Sequence, residues 1–194
     1  YMEKIAIGKG FKKNIIDLDN TVEENIKLIS EAKKLKPENL TACVLKRSRH
    51  DKIISSLKSL NVKIKFINDG DVTGVISVVD PSTNIDIYLG IGGGPEGVLA
   101  AAALHCLGGQ MQTRLVLNNQ DEINRAKKMG IKDLKKKYNI EDMVKGDVIF
   151  CATGVTSGDL AKGVKDLGNE FEVNTFALHK SQNIIKSVTN IYNK

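Results

Sequence analysis

The sequence predicts a layered α/β fold, and three observations predict it. Short apolar runs of strand type (Ile5–Ile7, Leu40–Leu45, Val62–Ile67, Ile85–Ile91) alternate with stretches of helical periodicity. Glycine and proline clusters, above all Gly90, Gly92, Gly93, Gly94 and Pro95, punctuate the boundaries. Helices of about 8–15 residues between short buried strands build sheet-and-helix layers. Residues 1–194 read as a single α/β domain, because no internal repeat, low-complexity tract or long linker divides them.

In chain order, Tyr1-Met-Glu-Lys-Ile-Ala-Ile-Gly8 is a strand. Thr21 with Glu24 makes a capping box, and Val22, Ile26, Ile29 and Leu35 supply the apolar stripe of a helix that stops before Pro37. A strand over Leu40–Leu45 leads through Lys46-Arg-Ser-Arg-His50 into a helix with Ile53, Ile54, Leu57 and Leu60 inward. Val62–Ile67 is a strand ending in Asn68-Asp-Gly-Asp71, and a short helix spans Val72–Val79. The Ile85 strand and the Pro95 helix come next, then a helix over Gln120–Met129. Gly146–Ala152 is a strand ending in Thr153-Gly-Val-Thr-Ser-Gly158, and Asn174–Lys180 with Ile184–Tyr192 form a hairpin.

Composition narrows the partners. A net charge of +6 suits an anionic ligand, yet much of it lies on helical faces such as Lys33-Lys34-Leu-Lys36 and Lys135–Lys137. Aromatic residues are 5% and Trp is absent, so the interleaved basic and aromatic pattern of nucleic-acid binders is missing. No nucleic-acid or membrane partner is expected, since no apolar run has the length of a span. Cys43, Cys106 and Cys151 stand far apart within apolar elements, which reads as buried free thiols of a reducing, cytoplasmic compartment.

The most informative stretch runs from Ile85 to Leu104. A buried strand turns through glycines into a helix opened by Pro95, where loss of a donor costs little. Glycines let backbone approach a ligand, and first-turn N–H groups attract anions. Glu96 sits in that same first turn. A carboxylate beside a phosphate cradle calls for a cation between them, which points to a metal-dependent phosphatase. Macrodipole compensation is the plain alternative for Glu96. The Gly92, Gly94, Gly97 spacing matches a dinucleotide fingerprint only formally, because no acidic residue closes a second strand downstream.

Ligands of α/β sheets gather at the carboxyl ends of strands. Four such ends carry polar clusters: Lys46, Arg47 and Arg49 after Leu45; Asp69, Gly70 and Asp71 after Ile67; the glycines and Glu96 after Leu89; Thr153, Gly154 and Thr156 after Ala152. Arginine forks suit phosphate, and paired aspartates suit sugar hydroxyls or metal. A surface helix start, a capped turn and a capped loop are the plain readings of the first, second and fourth.

Arg47-Ser-Arg-His50, Asp69-Gly-Asp71, Gly90-Ile-Gly-Gly-Gly-Pro-Glu-Gly97 and Gly146-Asp-Val-Ile-Phe-Cys-Ala-Thr-Gly-Val-Thr156, in this order, resemble the class II fructose-1,6-bisphosphatases. Gly94 stands where that family often has Ala, and Ser48 where it often has Pro. The resemblance covers the C-terminal part of the family only. The upstream Asp-Pro-x-Asp-Gly-Thr motif, which carries most of the metal-binding carboxylates, has no counterpart: Asp80-Pro-Ser-Thr-Asn84 lacks the second Asp. The chain is therefore expected to be a fragment, a separated domain or a cleavage product.

The resemblance implies the layered fold of the lithium-sensitive sugar and inositol phosphatases. It further implies Mn²⁺- or Mg²⁺-assisted hydrolysis of the 1-phosphate of fructose 1,6-bisphosphate to fructose 6-phosphate, a step of gluconeogenesis. Sedoheptulose 1,7-bisphosphate is a second substrate in some members, and a homodimer or tetramer is the implied assembly. Glu96 matches a metal ligand. Tyr1, Arg47, Ser48, Arg49, Asp69, Gly70, Asp71 and Gly93 match substrate-binding positions. A single carboxylate holds Mg²⁺ poorly against water, so the chain alone is expected to bind metal weakly and turn over little. Two rivals remain at this stage: an inositol-phosphatase-like enzyme, and a non-catalytic phosphosugar-binding domain.

Overall fold

The computed structural model describes all 194 residues, 1–194. Strands β1 (Met2–Ile7), β2 (Thr41–Leu45), β3 (Lys63–Ile67), β4 (Ile87–Gly92), β5 (Gln110–Leu115) and β6 (Lys137–Asn139) make one sheet in the order β3-β2-β4-β1-β5-β6. β2 runs parallel to β3 and β4, whereas β1 is antiparallel to both β4 and β5.

Alternation along these strands sorts side chains to two faces. Ile5, Ile7, Ala42, Val44, Ile87 and Leu89 pack with Ile26 and Ile29 of α1 (Val22–Lys33) and Leu57 of α2 (Asp51–Ser59). Ala6, Cys43 and Tyr88 face the other way. They meet Val75 of α3 (Asp71–Ile76) and Ala100, Ala101 and Leu104 of α4 (Gly94–Leu107). The expected layering of sheet and helices is present.

α5 (Gln120–Lys128) and α6 (Ile140–Met143) precede a second sheet, built from β7 (Ile149–Thr153), β8 (Lys165–Asp166), β9 (Glu170–His179) and β10 (Ile184–Asn193). It packs on the far side of α4 through Phe150 and Leu178 against Ala103 and Ile76. α4 thus lies between two sheets, which accounts for its buried alanines and Leu104, whereas Val98 and Leu99 are exposed. Small alanines let both sheets come close.

Several expectations are corrected. α1 ends at Lys33, with Lys34 left-handed at its C-cap, so Leu35 falls beyond the helix and is exposed. Gly94, not Pro95, is the first residue of α4. β7 belongs to the second sheet, so the Thr153–Gly158 loop does not end a strand of the first. Of the three thiols only Cys43 is buried; Cys151 is exposed on the outer face of β7. Burial pushes the Cys43 thiol up to about 11, which keeps it unreactive. β5 and β6 carry alternating polar residues and escaped the apolar pattern. No helix is long and apolar enough to cross a membrane.

The β9–β10 hairpin is locked at its turn by Asp147. Its Oδ2 accepts from the Ser181 hydroxyl (2.7 Å) and lies 2.7 Å from His179 Nε2, while its Oδ1 accepts from Ser181 N (3.0 Å). Serine and imidazole share one carboxylate oxygen, so this is a turn lock and not a relay to a nucleophile. The Ser181 hydroxyl, then His179, hold the Asp147 carboxyl at about 2 instead of 3.8. The folded value lies below the unfolded one. The stabilisation is therefore full above 3.8 and is lost as pH falls through about 2. Asp147→Asn should lower the melting temperature at neutral pH, with the gap to the parent closing as pH approaches about 2. Melting curves across that pH range check it. Leu178 is fully buried. Leu178→Ala should cost about 2–5 kcal/mol in urea unfolding, because it opens a cavity between the second sheet and α4.

Candidate active site

The topology gathers one end of the first sheet into a site. β2, β3 and β4 end there, and antiparallel β1 starts there, with Met2 opposite Gly92. The segments Lys46–His50, Asn68–Asp71, Gly92–Glu96 and Tyr1 consequently share one edge of the molecule.

Arg49 is fixed from two sides. Its Nε donates to Ile91 O at 2.9 Å, and its guanidinium lies 5.3 Å from the centroid of the Tyr1 ring, a cation–π contact. Beneath it His50 is fully buried. His50 Nε2 accepts from Ile91 N at 2.8 Å, so the proton sits on Nδ1, which donates to Leu45 O at 2.7 Å. That imidazole ties the loop after β2 to β4 and so sets where Arg49 stands. Arg47 and Ser48 are exposed beside it, and Arg47 Nη1 donates only to Lys46 O.

After the neighbouring strand β3 comes the Asp69–Asp71 turn. Gly70 has φ +76°, a left-handed turn that glycine adopts without strain. Asp69 is exposed, whereas Asp71 is buried and forms an ion pair with Lys4. Lys4 was not singled out by the sequence. The signal was present: a lysine inside a strand otherwise apolar on its inward positions. His50 and Tyr88 were not singled out either, since their surroundings are assembled only across the sheet.

The glycines after Leu89 act through space. A Cβ at Gly92 would lie 2.2 Å from Asp71 Oδ2, and one at Gly97 would lie 2.8 Å from Met2 Sδ and 3.1 Å from Lys4 Cε. At Gly93 it would lie 1.9 Å from Glu96 Oε2, so the Glu96 carboxylate rests against the Gly93 backbone. These absent side chains make room for a charged pair and a carboxylate. The segment is more a clearance than the phosphate cradle its glycines alone imply.

Glu96 is a lone exposed carboxylate, and no group of three or more His, Cys, Asp or Glu side chains is placed to hold a metal ion. These residues do not by themselves fit a resident divalent cation, which takes about six oxygens. Beside Asp69, a cleft of about 790 Å³ opens toward the second sheet, lined by Asn68, Asp69, Gly70, Thr156, Ser157 and Asp159. The Thr156 loop thus meets the site sideways.

Gly92→Ala should destabilise the chain by about 1–3 kcal/mol, since its methyl must displace a buried carboxylate. Gly94→Ala should be neutral or mildly stabilising: its Cβ would meet nothing nearer than Met2 Cγ at 3.9 Å, and alanine favours the helix. Denaturant unfolding of both variants checks the contrast.

The family described as "Bacterial fructose-1,6-bisphosphatase, glpX-encoded" matches residues 1–192. A "Fructose-1,6-bisphosphatase class 2" of Haemophilus influenzae is 36% identical over 206 residues, covering 99% of this chain and 61% of the relative. A "D-fructose 1,6-bisphosphatase class 2/sedoheptulose 1,7-bisphosphatase" of Trichodesmium erythraeum is 34% identical, covering 99% and 59%. "Fructose-1,6-bisphosphatase 1 class 2" of Escherichia coli K12 is also 34% identical, covering 99% and 61%. The chain spans less than two thirds of the length of these relatives. With its match running from the first strand to the last, the chain belongs to the family of bacterial class II fructose-1,6-bisphosphatases.

Proposed function

We propose that this chain holds the sugar and phosphate in a site that hydrolyses the 1-phosphate of fructose 1,6-bisphosphate to fructose 6-phosphate. The observation that carries it is the meeting at one sheet end of an anchored arginine, Arg49, with exposed Arg47 beside it, and an exposed aspartate turn. Arg47 and Arg49 present guanidinium groups, which bind phosphate oxygens as forks. Asp69 presents an exposed carboxylate at the end of the neighbouring strand β3, an acceptor for sugar hydroxyls. Tyr1 stacks on Arg49 and limits its motion, and the Glu96 carboxylate rests against the Gly93 backbone, so a ligand at Gly93 would meet both. Sedoheptulose 1,7-bisphosphate fits the same chemistry, as one relative's name indicates. Glu96 offers one oxygen ligand to Mn²⁺ or Mg²⁺, and the remaining ligands must come from outside these residues. A homo-oligomer is the assembly we propose.

Calorimetric titration of the chain with fructose 1,6-bisphosphate tests the reading. Arg47→Ala with Arg49→Ala should weaken binding tenfold or more, because a hydrogen bond to a charged group contributes about 1.5–3 kcal/mol. Fructose lacking phosphate should show no dependence on either arginine. Absence of binding by the parent chain would sink the proposal. Mn²⁺-dependent phosphate release should be weak or absent from this chain, and any release should vanish in Glu96→Gln.

A further inference from the structure

Lys4 is the only cationic side chain that the fold withdraws entirely from water, and its partner Asp71 is nearly as deep. A buried ion pair gains little net stability, since desolvation offsets the attraction. Its location therefore matters more than its strength. Lys4 lies at the middle of β1, opposite Gly90 of β4 and Thr113 of β5. Asp71 is the first residue of α3, 67 positions away. α3 has six residues and no side-chain cap; this ion pair ties its first residue to β1, beside the packing of Gly74 against Tyr88.

The surroundings are shaped for the pair. Gly97 passes over the Lys4 stem and Gly92 over the Asp71 carboxylate, each too near for a Cβ. The Tyr88 hydroxyl, on the same sheet face, is buried without a hydrogen-bond partner. Burial, and then the Asp71 charge, hold that phenol protonated. Asp71 thus faces inward, and only its neighbours reach the site: Asp69 and Gly70 are exposed.

We propose that Lys4 is a positioning residue, whose buried ammonium holds Asp71 and thereby sets the Asp69–Gly70 turn against the sugar hydroxyls. Asp71 acts from beneath, as the anchor of the turn. The inference rests on the reading of this edge as a sugar-phosphate site. It predicts a split between ligands: the turn governs sugar contact, and Arg47 with Arg49 govern phosphate contact.

The test is titration of the 194-residue chain with fructose 6-phosphate and, separately, with inorganic phosphate. Lys4→Met should weaken fructose 6-phosphate at least tenfold and leave phosphate affinity within about twofold. Lys4→Met strands a buried carboxylate and can cost the fold, so Lys4→Met with Asp71→Asn is the companion. That pair removes both charges, should recover the parental melting temperature, and should still show the loss for sugar alone. Folded variants that bind both ligands as the parent does, or that lose both equally, overturn the assignment. A parent chain that binds neither overturns the sugar-phosphate reading itself, and the positioning role with it.

Discussion

The backbone ladder of β1 is the constraint on which the rest of the structure depends. This strand enters the sheet between β4 and β5, antiparallel to both, and its six residues pair on each side. Reversal of direction puts its start at the edge where β2 and β4 end, so Tyr1, just before it, reaches Arg49. Register matters as much as direction. A slip of one residue would turn Lys4 into the core shared with α1 and α2, and would point Glu3 at Asp71. In the observed register Glu3 faces the other side and pairs with Arg114, which also holds Asp19 at 2.5 Å. One ladder thus assigns both charged residues of β1 to opposite partners.

Around that ladder, side-chain volume decides what fits. Gly92 and Gly97 clear the space taken by Asp71 and Lys4, and the alanines of α4 let two sheets close on a single helix. The same residues serve packing and site at once. Close packing leaves no room to move the buried pair without shifting the helices that cover it. Charge is correspondingly segregated: the buried cation is matched inside, whereas Arg47, Asp69 and Glu96 face outward.

The division of labour within the site has a chemical logic. This chain brings one anchored guanidinium, Arg49, and a carboxylate-bearing turn, the groups on which the proposed recognition of a phosphorylated sugar rests. It brings a single free carboxylate for a cation, and the relatives it matches are longer by more than half. The strand ends that carry Arg49 and the Asp69–Asp71 turn are tied by His50 and Lys4.

Local chemistry was enough to read the strand–helix alternation, the Thr21–Glu24 cap, the C-terminal hairpin and the residues that meet at the sheet edge. Each of those rests on contacts a few residues apart, or on a motif whose order along the chain carries the information. β5 was not legible, because on the face it shares with Ile5 and Ile7 it carries Gln110 and Gln112, whose amides bond the backbone of residues 11–18, and only Met111 joins an apolar cluster. Nor was the second sheet: the Thr153 loop ends a strand like the others, and only packing on α4 sends that strand elsewhere. Lys4, His50 and Tyr88 take their meaning from partners 41 to 82 positions away. A lysine in a strand is ambiguous until long-range pairing places an aspartate over it, and no local periodicity encodes that meeting.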